Sequence, residues 1–410
     1  MKHAGPCNLL MLVHRIPFPP DKGDKIRSYH LLRHLAARHR VHLGAFVDDP
    51  ADLVHESALR AICPDLRLFP IDPRKRKLAS LLGLLTGDAL SVRYYRDPRV
   101  SDWIASLRAR ERFDAVVTCS STTAQFVEGD DWASIPRVAD FIDVDSEKWR
   151  QYASTASPPM SWVYAREARA LLSFERRIAS AFTRTLFVSE AEAALFARRA
   201  PEAAARVGYY SNGVDTDCFD PAADLPDPYP PGGPVVVFTG AMDYRPNVEA
   251  VTWYADEILP RVLAQRPDSR FWIVGSKPAR SVRQLAERKG VTVTGRVPDV
   301  RAYLKHASVA VAPLRIARGI QNKVLEALAM AKPVVCTRSA AEGIDPSGGA
   351  VAGIADDAEG FAAATLRSMG HGDRTAARKL VVERFSWDSH LRVVDELIAS
   401  AIASDPGRSA

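Results

Sequence analysis

The segment PLRIARGIQNKVLEALAMAKPVV, residues 313–335, limits what this chain can fold into more tightly than any other. A short apolar run of strand type, VAVA at 309–312, leads into it, and a second, PVVC at 333–336, closes it. Between them, at about 100° per residue, Asn322, Lys323 and Glu326 share one helical face. Val324, Leu325 and Leu328 take the opposite face, and Gly319 marks the turn into the helix. A helix starting at the carboxyl edge of a parallel sheet offers free N–H groups and the positive end of its dipole there. Phosphate commonly binds at such an edge. The plainer alternative is a solvated polar face whose Lys323/Glu326 pair contributes only a few tenths of a kcal/mol.

The same rhythm runs through both halves of the chain. Apolar runs at 8–13, 41–47, 66–69, 113–118, 137–142 and 186–188 read as strands in the first half, with helices at 161–182 and after SEAE at 189–192, a capping box. Runs at 235–238, 270–274, 291–293 and 309–312 repeat the pattern, with helices over 247–263 and 281–289. The chain has 410 residues, too many for one ordinary core. The composition changes sharply at DPAADLPDPYPPGGP, residues 220–234, which is dense in proline and reads as an interdomain linker. The expectation is an α/β protein: two Rossmann-like, doubly wound parallel domains facing a central cleft. They span 1–219 and 235–385, and a C-terminal helix at 386–403 packs back on the first.

Neither half carries GxGxxG after its first strand, which argues against an ordinary nicotinamide dehydrogenase. A net charge of +6, spread along the chain, argues against a dedicated nucleic-acid binder. The five scattered cysteines form no CxxC or Cys/His cluster, so neither a disulfide framework nor a zinc site is expected. With no signal-peptide pattern and no long apolar segment, a cytoplasmic protein is the expectation. RKRKLASLLGLLTG, 74–87, has two readings: a basic-amphipathic segment lying on an anionic membrane surface, peripheral to the inner face of the cell membrane, or a core-packing helix.

Several strand ends carry residues suited to a ligand. The loop HRIPFPPDKGDKIR gathers Lys22, Lys25 and Arg27 around Gly23, where a phosphate or acidic acceptor could be held. Asp143 and Asp145 follow the strand at 137–142 and suit sugar hydroxyls or, less well, a metal. Gly240 and Gly275 end the first two strands of the second half.

The segments PPDKGDKIRSYHLLRHLA, DFIDVDSEKW, SNGVDTDCF, FTGAMDYRPNVEAV, VTGRVPDV and RGIQNKVLEALAMAKPVV, in this order and with FSW before the last helix, resemble the GT-B glycosyltransferases of the large retaining family 4 (group 1). The nearest resemblance is to the sugar transferases that accompany PEP-CTERM/exosortase exopolysaccharide systems. It implies retaining transfer of a sugar from a nucleotide-diphosphate donor to a glycan or lipid-linked acceptor, with no metal or other cofactor. The leaving diphosphate would itself serve as base for the acceptor hydroxyl. By position, Glu326 would hold the donor ribose, Gly319 and Ile320 would meet the diphosphate, and Asn322 would belong to the donor-binding set. Arg296 and Val297 would read the base, and Gly23 would lie over the phosphates and acceptor. Asp143 would stand beside the reacting sugar.

Two departures are visible. Arg318 occupies the position of the first motif glutamate, and Ala241 and Pro246 replace the arginine and lysine that follow the glycine in many relatives. Arg318, Lys323 or Arg245 is expected to supply the missing positive charge. A non-catalytic nucleotide-sugar binder and a GT-B nucleotide-sugar epimerase are the alternative readings.

Overall fold

The computed structural model describes residues 5–20, 23–317, 320–344, 349–370 and 375–403. The chain divides into two compact units, 1–212 with 390–410, and 213–389. The division therefore falls ahead of the proline-dense stretch, which belongs to the second unit. There Tyr229 is buried, its ring edge-on to Trp272 and its hydroxyl donating to the Tyr303 carbonyl (2.7 Å).

The first unit is built on a parallel sheet ordered β3-β2-β1-β4-β5-β6-β7. Its strands are β1 (Asn8–Val13), β2 (Arg40–Val47), β3 (Leu66–Pro70), β4 (Ala115–Cys119), β5 (Arg137–Ile142), β6 (Arg184–Phe187) and β7 (Val207–Tyr209). The second unit has a parallel sheet ordered β10-β9-β8-β11-β12-β13. Its strands are β8 (Val235–Thr239), β9 (Arg270–Val274), β10 (Val291–Gly295), β11 (Val309–Ala312), β12 (Val334–Cys336) and β13 (Gly353–Ile354). The central strands are apolar on both faces because helices cover both. Every residue of β4, β8, β11 and β12 is buried, which is why these stretches read as unbroken apolar runs.

Each unit has its own core. Phe141, Phe187 and Phe196 meet edge-on or tilted in the core of the first, and Tyr254, Phe271 and Phe361 do so in the second. In the first unit Asp395 of the last helix, Trp387–Ala403, pairs with His34 Nε2 at 2.8 Å. Cys7, Cys63, Cys119 and Cys336 are buried cysteines, and Cys218 is an exposed one.

Three local departures from the sequence reading have physical causes. The helix expected over 247–263 is interrupted by a π-turn, Tyr254–Ile258, just before Pro260, whose missing N–H cannot continue an α-helical ladder. The segment 74–87 forms two short helices, Pro73–Ser80 and Gly83–Thr86, and its leucines point outward, so it does not pack a core. The capping box at 189–192 forms by half. Ser189 Oγ accepts the Glu192 N–H (3.2 Å), while the Glu192 carboxylate caps Val144 N–H instead (2.9 Å).

Candidate functional site

In the second unit the strand order reverses between β8 and β11. Open α/β sheets bind ligands at the carboxyl ends of strands at such a switch point. Gly240 directly follows β8 and Gly275 directly follows β9, with φ of +154° and +157°. A Cβ on Gly275 would lie 1.6 Å from the Gly240 carbonyl oxygen, so backbone contact as well as φ demands glycine there. The strand ends are laced together: Gly240 N–H donates to Val274 (3.1 Å), Gly275 N–H to Gly295 (3.2 Å), and Met242 N–H to Ser276 (2.8 Å).

Lys323 reaches this turn from the first turn of the helix Asn322–Ala329, which follows β11. Its Nζ donates to Asn247 Oδ1 at 2.5 Å and lies 4.6 Å from the centre of the Phe238 ring. It stands 3.5 Å from where a Cβ on Gly240 would be. Asn247 is itself fixed by donating from Nδ2 to the Ala241 carbonyl (2.9 Å). Burial brings the Lys323 ammonium down to about 8, with Glu326 pulling the other way. Glu326, on the same helical face, is pushed up to about 7 by burial, and Lys323 opposes the shift. No hydrogen bond reaches the Glu326 carboxyl among the described residues.

The apolar face of this helix fixes the arrangement. Val324, Leu325, Ala327, Leu328 and Ala329 are buried, so Lys323 and Glu326 lie off the packed face, with Lys323 at the sheet's carboxyl edge. Gln321, at the N-cap, makes no side-chain cap hydrogen bond, so backbone N–H groups at the helix start are directed toward that edge. A cation beside a glycine turn, an uncapped helix start and a donor-poor carboxyl suit a ligand that carries both an anionic group and hydroxyls.

The remaining donor-side candidates divide. Arg296, exposed, and Val297, half-buried, follow β10 at this same edge. Asn322 is exposed at the helix start, and Ile320 lies against Gly343, 3.3 Å from where its Cβ would stand. Arg245 does not join the group. Its guanidinium is largely in solvent and pairs with Glu249 one turn on (2.8 Å). Arg318 and Gly319 lie outside the described residues, as does Lys22.

In the first unit the basic-loop reading needs correction. Lys25 is buried with its Nζ 2.6 Å from Asp52 Oδ2. Arg27 is fully buried and uses its five N–H donors inside the protein. It forks onto Asp140 (2.8 and 3.0 Å) and reaches the Tyr210 carbonyl (2.9 Å), Asn212 Oδ1 (3.0 Å) and the Phe187 carbonyl (3.3 Å). It also stacks on the Tyr210 ring. Arg27 ties strand ends together and presents nothing to a phosphate. Gly23 begins the helix Gly23–Ala36 in the open, and a Cβ there would meet nothing within 4 Å.

Asp143 stands just beyond β5, half-exposed, with Lys148 Nζ 3.9 Å from it. Burial pushes its carboxyl up, Lys148 opposes, and Glu192 and Asp145 add to the rise. Beside it Ile142 holds a φ of +72°, and Ser120, ending the neighbouring β4, one of +74°. Such conformations cost a β-branched or polar residue about 1–3 kcal/mol and cluster at functional sites. Among the described residues no group of three or more His, Cys, Asp or Glu side chains is placed to hold a metal ion. Asn247 and the two strained residues were not singled out from sequence. Asn247 follows Pro246 inside FTGAMDYRPNVEAV, a position that would have pointed to it, whereas strain leaves no mark in a sequence.

Residues 233–371 match the family model for glycosyl transferases group 1. The second unit carries a glycosyltransferase group 1 domain. Among solved structures, the chain resembles a glycosyltransferase from Rickettsia africae ESF-5, with TM-score 0.62 and 15% identity over 98% of this chain and 100% of that one. It also resembles Anabaena HepE in complex with UDP and glucose (0.60, 15%, 96% and 100%). Sucrose-phosphate synthase from Thermosynechococcus elongatus is similar to the same degree (0.60, 18%, 97% and 100%). Comparison with curated protein sequences finds no match. The two parallel-sheet units have the GT-B fold. A glycosyltransferase domain within that fold makes the chain an enzyme of the glycosyltransferase class, and the Gly240–Lys323–Glu326 cluster lies inside the domain itself.

Proposed function

We propose that this glycosyltransferase moves a sugar, with retention, from a nucleotide-diphosphate donor to a glycan or lipid-linked acceptor in exopolysaccharide biosynthesis. The observation that carries the reading is the Lys323 ammonium held by Asn247 against the Gly240 turn, with Glu326 on the same helix face. In this assignment Lys323 and the N–H groups at the start of its helix meet the diphosphate. Charge that develops on a leaving group is best stabilised by dipoles and cations already in place. Glu326 accepts the ribose hydroxyls, and Arg296 and Val297 flank the base. HepE of Anabaena is seen with UDP and glucose, which supports a nucleoside-diphosphate sugar as the donor class.

Lys323 also answers the sequence departure at Ala241 and Pro246. It brings positive charge to the glycine turn from a different strand's helix. Arg245, turned to solvent, is dropped from that role.

The test is the melting temperature of the purified chain against a panel of nucleotide sugars. One donor is expected to raise it. Lys323→Ala is expected to weaken that donor by roughly 10- to 100-fold, the range for a hydrogen bond to a charged group. Glu326→Gln is expected to weaken it roughly tenfold. Wild-type affinity in both variants would sink the assignment. Product analysis with a lipid-linked acceptor then separates transfer from donor interconversion and from binding without turnover.

A further inference from the structure

In the first unit, residues 73–87 form a fastened element with its apolar side outward. Asp72 accepts the N–H groups of Arg74 (2.9 Å) and Lys75 (3.3 Å) at its start. Arg76 turns inward to Asp97 and the Arg96 carbonyl, and Arg166 donates to the Gly83 carbonyl. Yet Leu78, Leu82 and Leu85 are 71, 53 and 85% exposed, and Leu81 and Leu84 stand out beside them. Five leucines on a tethered surface element are a contiguous apolar patch rather than scattered exposure.

The patch has a chemical frame. Arg74, Lys75 and Lys77 are exposed at its rim, with no acidic partner among the described residues. Trp162, 70% exposed, stands one turn before Arg166 on the helix Met160–Ala181, on the face that reaches Gly83. Tryptophan and leucine flanked by unpaired bases match the layering of a membrane surface: acyl boundary, interface, anionic headgroups. The bases also decide against a second copy of the chain as occupant. Self-association through a shared patch would bring the same unpaired bases against one another.

We propose that residues 73–87, with Trp162, dock the enzyme on an anionic lipid bilayer. The leucines enter the headgroup–acyl boundary while Arg74, Lys75 and Lys77 meet anionic headgroups. This surface is independent of which donor sugar is used and of the nucleotide-sugar reading itself.

Flotation of the full chain tests it, with vesicles of phosphatidylcholine alone against phosphatidylcholine mixed with phosphatidylglycerol. The chain is expected to float with the anionic vesicles and to be released as salt rises. Each exposed base contributes roughly fivefold, so Lys75→Gln with Lys77→Gln is expected to lower the partition about 30-fold. Leu82→Ser with Leu85→Ser is expected to lower it at least about tenfold through lost apolar insertion. All four positions are exposed, so unchanged melting temperatures confirm that the variants are folded. An unchanged melting shift with the nucleotide sugar keeps donor binding separate from docking. No flotation with anionic vesicles, or equal flotation with both compositions, overturns the proposal. So does a patch-dependent dimer, seen by sedimentation, that Leu85→Ser dissolves and vesicles do not compete for.

Discussion

Arg27 shows how far a residue's role can depend on something its neighbourhood in sequence does not contain. Read locally, it is one of three bases near a glycine, the composition of an anion-binding loop. Its partner, Asp140, is 113 positions away, and only the fold brings the two carboxylate oxygens onto its guanidinium fork. Lys25 is neutralised in the same way by Asp52. Removing one member of a buried, fully bonded ion pair leaves the other charge uncompensated and typically costs about 3–5 kcal/mol. Arg27→Met is therefore expected to destabilise the first unit by about that amount in urea titrations. It would strand Asp140 and free the carbonyls of Tyr210 and Phe187. A ligand-binding arginine on the surface would instead leave the unfolding midpoint where it was. Lys323 is the opposite case. Its helical face and its neighbour Glu326 were legible at once from spacing, because both belong to one element. What spacing did not contain was the contact with Asn247 and the Gly240 turn, which belong to the helix and the turn that follow β8.

At the scale of elements, legibility follows burial. Strands covered on both faces, such as β4, β8 and β11, are continuous apolar runs and could be placed to within a residue or two. The outermost strands β7 and β13 have three and two residues, and their partial exposure leaves no apolar run to read. The donor-side helix ends in a feature that sequence also hides. Lys332 N–H donates to the Ala327 carbonyl and Ala331 N–H to Leu328 (2.9 Å each), the paired closure of a Schellman turn. That geometry needs a left-handed residue after the helix. Here it is Ala331, at φ +52°, where glycine is usual. A left-handed alanine carries a penalty of about 1–2 kcal/mol, partly offset by glycine's greater freedom in the unfolded chain. Ala331→Gly is expected to stabilise the second unit by about 1 kcal/mol, a rise of roughly 2–4 °C in melting temperature. A fall in melting temperature would show that the Ala331 methyl group packs more favourably than its backbone conformation costs.

For the whole molecule the buried carboxyls set how stability depends on pH, and the two units tilt the same way. Glu175 in the first unit is fully buried and pushed up to about 8 by that burial, and among the described residues only Ser146 donates to it. Glu326 in the second is pushed up to about 7. A carboxyl raised above its unfolded value binds its proton more tightly in the folded state. Its contribution is complete below the unfolded value, near 4.5, and is lost as pH rises toward the folded one. The carboxylates of Asp24, Asp97, Asp299 and Glu147 are held low: burial raises Asp24, but the hydrogen bond from His14 and the charges of His14 and Arg15 outweigh it, while Arg99 holds down Asp97, Arg301 holds down Asp299 and Arg150 holds down Glu147. Their contribution is present above about pH 4 and lost below it, which closes the window from the acid side. His39, held low by burial, opposes the fall only around its ordinary range. Melting temperature is therefore expected to peak between about pH 4.5 and 6 and to decline toward pH 8, at roughly 1 kcal/mol per pH unit for each raised group across its window. Glu175→Gln isolates the largest contributor. An amide accepts from the Ser146 N–H as the protonated acid does but cannot ionise. The variant is expected to melt with the wild type near pH 5 and above it near pH 8. Parallel curves for the two proteins over that range would mean that Glu175 ionises in the folded state as easily as in the unfolded chain, and that its burial against Ser146 does not set the pH optimum.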